Sequence, residues 1–217
     1  MRAAGCTIQK LETLLVIKPT LQFEKRFWSH GLTHIAGIDE AGRGAMAGPV
    51  CAAAVVLPVD PYLTRTLIGV RDSKLMIPLE REKWAPRIRK VSIAWGVGFA
   101  SEAEIDSLGI VPATRLAATR ALDSLSVPPE ALLTDALLFP ENDLPQTALI
   151  KGDQRSLSIA AASVLAKTAR DAVMCEFEEQ YPGYGFARHK GYGTQAHRSA
   201  MKRLGLSEIH RKSFRVK

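Results

Sequence analysis

The sequence lacks several features that would assign its class at once. Its 217 residues include only three cysteines, with no Cys-x-x-Cys pair, which argues against a disulfide framework or a structural zinc site. The longest weakly polar run, residues 45–59, contains one glycine and two prolines and is too short to cross a bilayer. No secretory signal pattern opens the chain. We therefore expect a cytoplasmic protein that does not contact membranes.

Internal repeats and low-complexity stretches are also missing. The composition, 47% hydrophobic and 24% charged, is that of an ordinary globular protein, and the length suits one large domain with at most a modest appendage. No extended apolar helix predicts a coiled-coil oligomer, so we expect a monomer.

Basic charge is concentrated near the end of the chain. Residues 184–217 carry nine Lys and Arg against the single acidic residue Glu208, a formal charge of +8 in a chain of net charge +7. Such a basic segment attracts polyanions, above all nucleic acid. A solvated tail that aids solubility is the alternative.

The apolar patterning predicts strands alternating with helices, which is typical of an α/β domain with a largely covered sheet. A short helix is expected in the first 33 residues, around Leu11, Leu14, Leu15 and Ile17, interrupted by Pro19. The predicted strands are residues 34–39, 49–57, 91–100, 131–138 and 147–150. The predicted helices are residues 102–125, broken at Pro112, then 156–181 and 195–204.

Four carboxylates lie within or next to the predicted strands. Asp39 and Glu40 close the first strand, Asp135 interrupts an apolar run, and Asp153 follows the last short strand. An ionised carboxylate within an apolar strand is costly unless a cation or strong donors compensate it. Acidic oxygens gathered at one sheet edge would form a site for hard cations such as Mg²⁺ or Mn²⁺.

Structural roles for these carboxylates remain open. Asp153 could cap the following helix, and Asp135 could pair with a lysine or arginine. Adjacent strand residues point to opposite faces, so Asp39 and Glu40 share a site only if the strand ends or bends there. The glycines that follow would permit such a bend.

A series of short motifs runs along most of the chain. It begins with residues 35–44 (IAGIDEAGRG) and 47–50 (AGPV) and extends to about residue 214. It continues through residues 72–74 (DSK), 113–115 (ATR), 134–136 (TDA), 151–153 (KGD), 159–163 (IAAAS), 166–167 (AK), 170–171 (RD), 181–185 (YPGYG), 189–194 (HKGYGT) and 210–214 (HRKSF). In these motifs and their order the sequence resembles a known family, ribonuclease HII, the type 2 ribonucleases H.

The resemblance implies a ribonuclease H-like fold, a central mixed β-sheet flanked by helices with a helical C-terminal region over the site. It divides the chain into a lead-in (1–33), a catalytic domain (34–183) and a basic C-terminal helical segment packing on that domain (184–217). It also implies hydrolysis of the RNA strand of RNA–DNA hybrids, and cleavage on the 5′ side of single ribonucleotides embedded in duplex DNA, leaving 3′-hydroxyl and 5′-phosphate ends. Two divalent ions, Mn²⁺ or Mg²⁺, would support that chemistry.

Carried over residue by residue, the resemblance assigns both catalysis and metal binding to Asp39, Glu40, Asp135 and Asp153, with Asp39 as the expected bridging ligand. It assigns recognition of the RNA-to-DNA junction to Gly42, Arg43, Gly44 and Tyr192. Lys74, Ser163 and Lys190 are further candidates for contacts with the substrate backbone. A tight turn, a core aromatic residue and solvated charges are the corresponding structural alternatives.

Two other functions remain open from the sequence. Another two-metal nuclease of the same fold would cut duplex DNA equally well, and a non-catalytic nucleic-acid-binding protein would use the basic segment alone. The acidic cluster weighs against a passive binder because it repels phosphate unless cations are present.

Overall fold

The computed structural model describes residues 18–214, which form a mixed sheet covered by helices on both faces. The strands are β1 Ile35–Ala41, β2 Val50–Val56, β3 Ala94–Ala100, β4 Ala131–Asp135 and β5 Gln146–Leu149. The helices are α1 Gln22–Trp28, α2 Leu63–Thr66, α3 Pro78–Val91, α4 Glu102–Leu108, α5 Ile110–Asp123, α6 Leu157–Gln180, α7 Phe186–His189 and α8 Gln195–Leu204.

The sheet order, β3-β2-β1-β4-β5, places β1 at the centre. β1 pairs antiparallel with β2 and parallel with β4, and β5 is parallel to β4. Alternate residues of β2 enter different cores: Ala53 and Val55 pack with α6, whereas Ala52 and Ala54 pack with α5. This arrangement confirms the predicted α/β class and the mixed sheet flanked by helices.

The structure shifts several of the predicted boundaries. The break between α4 and α5 is at Gly109, whose φ of +84° ends the first helix, and the prediction of a break at Pro112 was wrong. Pro112 lies in the first turn of α5, where a backbone N–H has no partner within the helix. The strand predicted to run to residue 138 ends at Asp135 because Ala136 adopts a φ of +54°.

The start of the described chain packs on the sheet beside β4. Phe23 of α1 shares a core with Leu133 and Ile159. Glu24, also in α1, is buried, and its Oε1 accepts hydrogen bonds from the hydroxyls of Ser156 and Ser158. This contact fixes the beginning of α6. The short helix predicted around residues 11–17 lies outside the described residues.

The C-terminal segment crosses the loop between β1 and β2, and it contains the predicted helix at 195–204, which is confirmed. Isolated bridges join Ala45 to Tyr192 and Ala47 to His210. The guanidinium of Arg211 donates to the carbonyl of Gly48 at 2.9 Å. These contacts hold the segment against the end of β1. The limits assigned to the three parts of the chain remain a prediction.

Among residues 18–214, no helix combines the length and the hydrophobicity needed to cross a membrane.

Candidate active site

Asp39 lies in the central strand, on the face covered by α6. Its side chain is buried, and its Oδ1 accepts the backbone N–H of Glu40 at 2.7 Å. The other oxygen, Oδ2, is also buried and has no hydrogen-bond partner among the described residues. Burial, with the charge of Glu40 adding to it, raises the pKa of Asp39 well above its usual range. A buried carboxylate with an unpaired oxygen is destabilising unless a cation compensates it.

Asp135 reaches the same place from the neighbouring parallel strand. It is the last residue of β4, one position beyond the pairing of Thr134 with Ile38 of β1. Its Oδ1 accepts the backbone N–H of Gly152 at 2.8 Å, which ties the end of β4 to the turn after β5. The carboxyl ends of β1 and β4 therefore present acidic side chains at one sheet edge.

Asp153 completes the acidic cluster from that turn. Lys151 adopts a left-handed φ of +54°, and a single 3₁₀ turn, Gly152–Gln154, then directs Asp153 inward. One carboxylate oxygen from each of Asp39, Asp135 and Asp153 lies within 4.8 Å of the others. Burial and the neighbouring carboxylates raise the pKa of Asp153 to about 6.

Glu40 does not join this group of three. The strand continues through Ala41, so the pleat sends Glu40 to the other face, where it lines a small cleft with Ala52 and Thr114. Its Oε1 accepts a hydrogen bond from Arg43 at 3.2 Å. Burial raises the pKa of Glu40, and the negative charge of Asp135 contributes. Glu40 therefore lies on the opposite face of β1 from Asp39, but close enough for its charge to raise the pKa of Asp39 and for the charge of Asp135 to raise its own pKa.

The acidic cluster fits a hard divalent cation. All of its ligand atoms are carboxylate oxygens, the donors that Mg²⁺ and Mn²⁺ prefer, and the unpaired Oδ2 of Asp39 is available to a cation. A lysine does not replace the cation: the Nζ of Lys74 is 3.7 Å from Asp153, but its side chain is 70% exposed. The carboxylates raise the pKa of Lys74 by more than its partial burial lowers it.

Asp72 is a neighbour of the cluster that the sequence analysis did not identify. Its Oδ1 accepts the backbone N–H of Lys74, and its Oδ2 accepts the side-chain amide of Gln154 at 3.2 Å. Its charge is one of the causes of the raised pKa of Asp153. The signal available in the sequence was its place in the motif at residues 72–74.

The loop after β1 approaches α6 closely at Gly42. The φ of Gly42 is +92°, and a Cβ there would lie 1.9 Å from Nε of Arg170. Arg43 is half exposed and paired with Glu40, while Gly44 has open space around its Cα. The first glycine is therefore required by the packing, and the second leaves the backbone accessible.

Substituting the two glycines separates these roles. Gly42→Ala is expected to lower the free energy of unfolding by roughly 3 kcal/mol because it adds backbone strain to a clash with a fixed guanidinium. Gly44→Ala, the matched control, should change the free energy of unfolding by less than about 0.5 kcal/mol. Urea denaturation of both variants measures the difference, and equal stabilities would contradict the packing role of Gly42.

Tyr192 lies across the same loop, at the bridge to Ala45. Its half-buried ring has Nζ of Lys167 and the guanidinium carbon of Arg170 each 5.5 Å from the ring centroid. The ring also lines a groove of about 620 Å³ between α3, α6 and α7. The structure thus brings Tyr192 and the Gly42–Gly44 loop together, beside a groove with several basic side chains.

The remaining substrate candidates have different surroundings. The hydroxyl of Ser163 is buried and hydrogen-bonded to that of Ser73 at 2.8 Å. Lys190 lines the groove, and its Nζ donates to Sγ of Cys175 at 2.8 Å. Lys74 is exposed beside Asp153. Both lysines are accessible to a phosphate, whereas Ser163 lies one layer below the surface; their substrate contacts remain predictions.

Arg170 organises this region. Its neighbour Asp171 is paired with Lys167 and Arg81. Arg170 instead donates to three backbone carbonyls, those of Ala47, Pro49 and Lys190. A lone arginine in a helix gives no sequence signal for such contacts.

Comparisons with known proteins identify the family of the chain. The family described as Ribonuclease HII matches residues 36–217. A ribonuclease HII from Synechococcus sp. (strain JA-3-3Ab) is 52% identical over 201 residues, which cover 92% of this chain and 89% of the relative. Another, from Thermus thermophilus, is 52% identical over 191 residues, covering 88% of this chain and 90% of the relative.

Solved structures give the same result. The structure of a PCNA:RNase HII complex from Archaeoglobus fulgidus superposes with a TM-score of 0.71 at 27% identity, covering 85% of this chain and 96% of that one. The ribonuclease H2 of Pyrococcus horikoshii OT3 superposes with a TM-score of 0.67 at 26% identity, covering 83% and 93%. The chain therefore belongs to the ribonuclease HII family, the type 2 ribonucleases H, which are metal-dependent endonucleases.

Proposed function

We propose that this protein hydrolyses the RNA strand of RNA–DNA hybrids and cuts on the 5′ side of single ribonucleotides in duplex DNA, leaving 3′-hydroxyl and 5′-phosphate ends. The observation that carries the proposal is the convergence of Asp39, Asp135 and Asp153 within 4.8 Å, in a member of this family. Three carboxylates that would repel both one another and a phosphodiester are explained by bound cations.

Asp39, Asp135 and Asp153 are the proposed ligands of two Mg²⁺ or Mn²⁺ ions, with Glu40 as a further ligand. When bound, divalent ions lower the pKa of water, polarise the phosphate and neutralise charge on the leaving 3′-oxygen. Asp39 offers its unpaired Oδ2, which makes it the best candidate for the bridging ligand. The hydrogen bond from the backbone of Gly152 orients the carboxylate of Asp135 beside those of Asp39 and Asp153.

Recognition of the substrate requires a sensor for the ribose 2′-hydroxyl, the group that distinguishes RNA from DNA. We assign this role to the backbone around Gly42, Arg43 and Gly44: Gly42 lets the loop pack against Arg170, and the absence of a side chain at Gly44 lets a sugar approach the peptide groups. The ring of Tyr192 would pack on the deoxyribose that follows the ribonucleotide. Its place across the loop from Gly44, at the bridge to Ala45, supports this assignment.

The variant Tyr192→Ala tests the proposed role of the ring. It should lower kcat/KM on a duplex with one embedded ribonucleotide roughly tenfold, about 1.4 kcal/mol, because stacking on the sugar is lost. Tyr192→Phe keeps the ring and should remain near wild type. Steady-state kinetics of the three proteins provide the measurement, and unchanged kinetics in Tyr192→Ala would remove the residue from recognition.

The function itself is tested with three labelled duplexes: one containing a single ribonucleotide, one an RNA–DNA hybrid, and one DNA alone. With Mg²⁺ or Mn²⁺ the first two should be cut, and EDTA should abolish cutting. Mapping of the ends should place the nick on the 5′ side of the ribonucleotide. Equal cutting of the DNA duplex would favour another two-metal nuclease, and binding without metal-dependent cutting would favour a passive binder.

The proposal also includes the compartment and the oligomeric state of the protein. Cys51 is buried and Cys175 exposed, and both are free thiols, as expected in a reducing compartment. Residence in the cytoplasm, action as a monomer and the absence of membrane contact remain predictions.

A further inference from the structure

Three histidines form a buried cluster beneath Tyr192. His189, His197 and His210 are each at most 9% exposed. The rings of His189 and His197 stack with their centroids 4.3 Å apart, and Nε2 of His197 lies 3.1 Å from Nε2 of His210. Catalysis by the carboxylates does not use this cluster, so its hydrogen bonds need another explanation.

The hydrogen bonds fix which nitrogen of each ring carries the proton. The backbone N–H of Ser207 points at Nδ1 of His210 at 2.9 Å, and a backbone N–H can only donate. Nδ1 of His210 is therefore the acceptor, and the proton of the neutral ring is on Nε2. That Nε2–H donates to Nε2 of His197, which places the proton of His197 on Nδ1.

This chain of hydrogen bonds, here called the histidine relay, runs from Ser207 through His210 and His197 and ends on the backbone of Tyr192. Nδ1 of His197 lies 3.0 Å from the carbonyl of Tyr192 and donates its proton there. On the other side, the N–H of Tyr192 donates to the carbonyl of His189 at 3.0 Å. The peptide groups of Tyr192 are thus held by two of the three histidines.

The protonated nitrogen of His189 is fixed in the same way, by a backbone N–H donor. The N–H of Gly191 donates to Nδ1 of His189 at 3.2 Å, so Nε2 of His189 carries the proton and donates to the carbonyl of Tyr184 at 2.8 Å. All three rings are consequently neutral, each with one donor and one acceptor nitrogen. Burial supports this state by lowering the pKa of His197 to about 4 and by lowering the pKa of His210.

A zinc site does not explain the cluster. A zinc-bound histidine gives up a ring lone pair to the metal. His189 and His210 use that lone pair to accept a backbone N–H, and His197 uses it to accept the proton of His210. No lone pair remains for a metal, so the rings are occupied by one another and by the backbone.

We propose that the chain of hydrogen bonds from Ser207 through His210 and His197 positions Tyr192 for recognition of the RNA-to-DNA junction. His197 and His210 are therefore positioning residues: they touch neither substrate nor metal and act through the Tyr192 backbone. The inference rests on the proposed role of Tyr192. It adds His197 and His210 as the residues that connect Tyr192 to α8 and to the turn at Ser207.

Two variants of His197 separate this role from simple packing. An asparagine amide overlaps the Nδ1 position of histidine, so His197→Asn keeps a donor for the Tyr192 carbonyl and loses the partner of His210. A glutamine amide reaches the Nε2 position, so His197→Gln keeps the partner of His210 and loses the donor to Tyr192. Both variants remove the same ring, and each serves as the control for the other.

The first measurement uses the wild-type protein and no substrate. Nitrogen-15 NMR of the full chain distinguishes imidazole tautomers, and it should show His197 protonated at Nδ1, and His210 and His189 protonated at Nε2. Protonation of His197 at Nε2, or charged rings at neutral pH, would contradict the proposed chain of hydrogen bonds. This test does not depend on which substrate the enzyme cuts.

The second measurement is the ratio of kcat/KM on a single embedded ribonucleotide to kcat/KM on a long RNA–DNA hybrid. His197→Gln should lower this ratio about tenfold, and His197→Asn should keep it within about twofold of wild type. Equal ratios in the two variants would overturn the positioning role. A wild-type protein that cuts neither substrate would instead refute the proposed function and leave the tautomer result as the test of the relay.

Discussion

Asp39→Asn is expected to abolish cleavage while making the metal-free protein more stable. The loss should be at least about 1,000-fold in kcat, equivalent to roughly 4 kcal/mol, because the buried metal ligand is removed. The gain in stability follows from the state of Asp39 without metal. Its carboxylate is buried, one oxygen has no partner among residues 18–214, and the neighbouring acids repel it. A neutral amide of the same size removes the charge that causes this penalty.

Activity assays in Mg²⁺ and thermal unfolding in EDTA measure the two effects. Asp123→Asn, which changes an exposed aspartate at the end of α5, is the matched control and should leave both quantities unchanged. A lower melting temperature in Asp39→Asn would mean that the carboxylate is stabilising by itself. Substantial cleavage in Mg²⁺ would remove Asp39 from the metal site.

Arg170→Met should cause the largest loss of stability among the substitutions considered. Arg170 is fully buried and donates to the carbonyls of Ala47, Pro49 and Lys190, which belong to two segments far apart in the sequence. Methionine has similar length but no donor, so three carbonyls lose their partner, two in buried hydrogen bonds and one in a partly buried hydrogen bond. At about 1–3 kcal/mol for each unpaired group, the loss should be at least roughly 3 kcal/mol.

For a protein of this size, that loss corresponds to a fall of roughly 6–12 °C in melting temperature. Arg198→Met, at an exposed position of α8, is the control and should shift the melting temperature by less than about 2 °C. A melting temperature in Arg170→Met within that margin would show that the loop after β1 and the turn at Lys190 do not depend on this guanidinium.

The contrast between Asp39 and Arg170 shows what the sequence reveals about the site. Asp39 and Asp135 were predictable because a carboxylate at the end of an apolar strand breaks the local pattern, and the resemblance to a family supported both. The contacts of Arg170 were not predictable because a basic residue in a helix breaks no pattern. Its partners are backbone carbonyls, which carry no signature of their own in the sequence.

Glu40 is a case in which the motif was recognised but the direction of the side chain was not determined by the sequence. The motif placed it beside Asp39, and the sequence permitted a shared face only if the strand ended there. The strand instead continues to Ala41, because the register with β2 extends to the pairing of Ala41 with Cys51. That register depends on contacts between strands, so it cannot be predicted from the sequence around Glu40 alone.

The strands were better predicted than the helices. Apolar runs predicted all five strands to within a few residues, since a sheet covered on both faces requires nearly continuous hydrophobic segments. α3 was not predicted because it has an exposed, strongly charged face and an internal proline, Pro86. The break at Gly109 was assigned to the nearby proline because both residues can end a helix, and only the positive φ of the glycine decides between them.

Binding of Mn²⁺ without substrate tests the central claim most directly. Isothermal titration of the wild-type protein should show binding that disappears in Asp39→Asn and persists in Asp123→Asn. Mn²⁺ should also raise the melting temperature of the wild-type protein by mass action, and it should not do so in Asp39→Asn. Equal Mn²⁺ affinity in the wild type and in Asp39→Asn would contradict the account, because the three carboxylates would then not be the metal site.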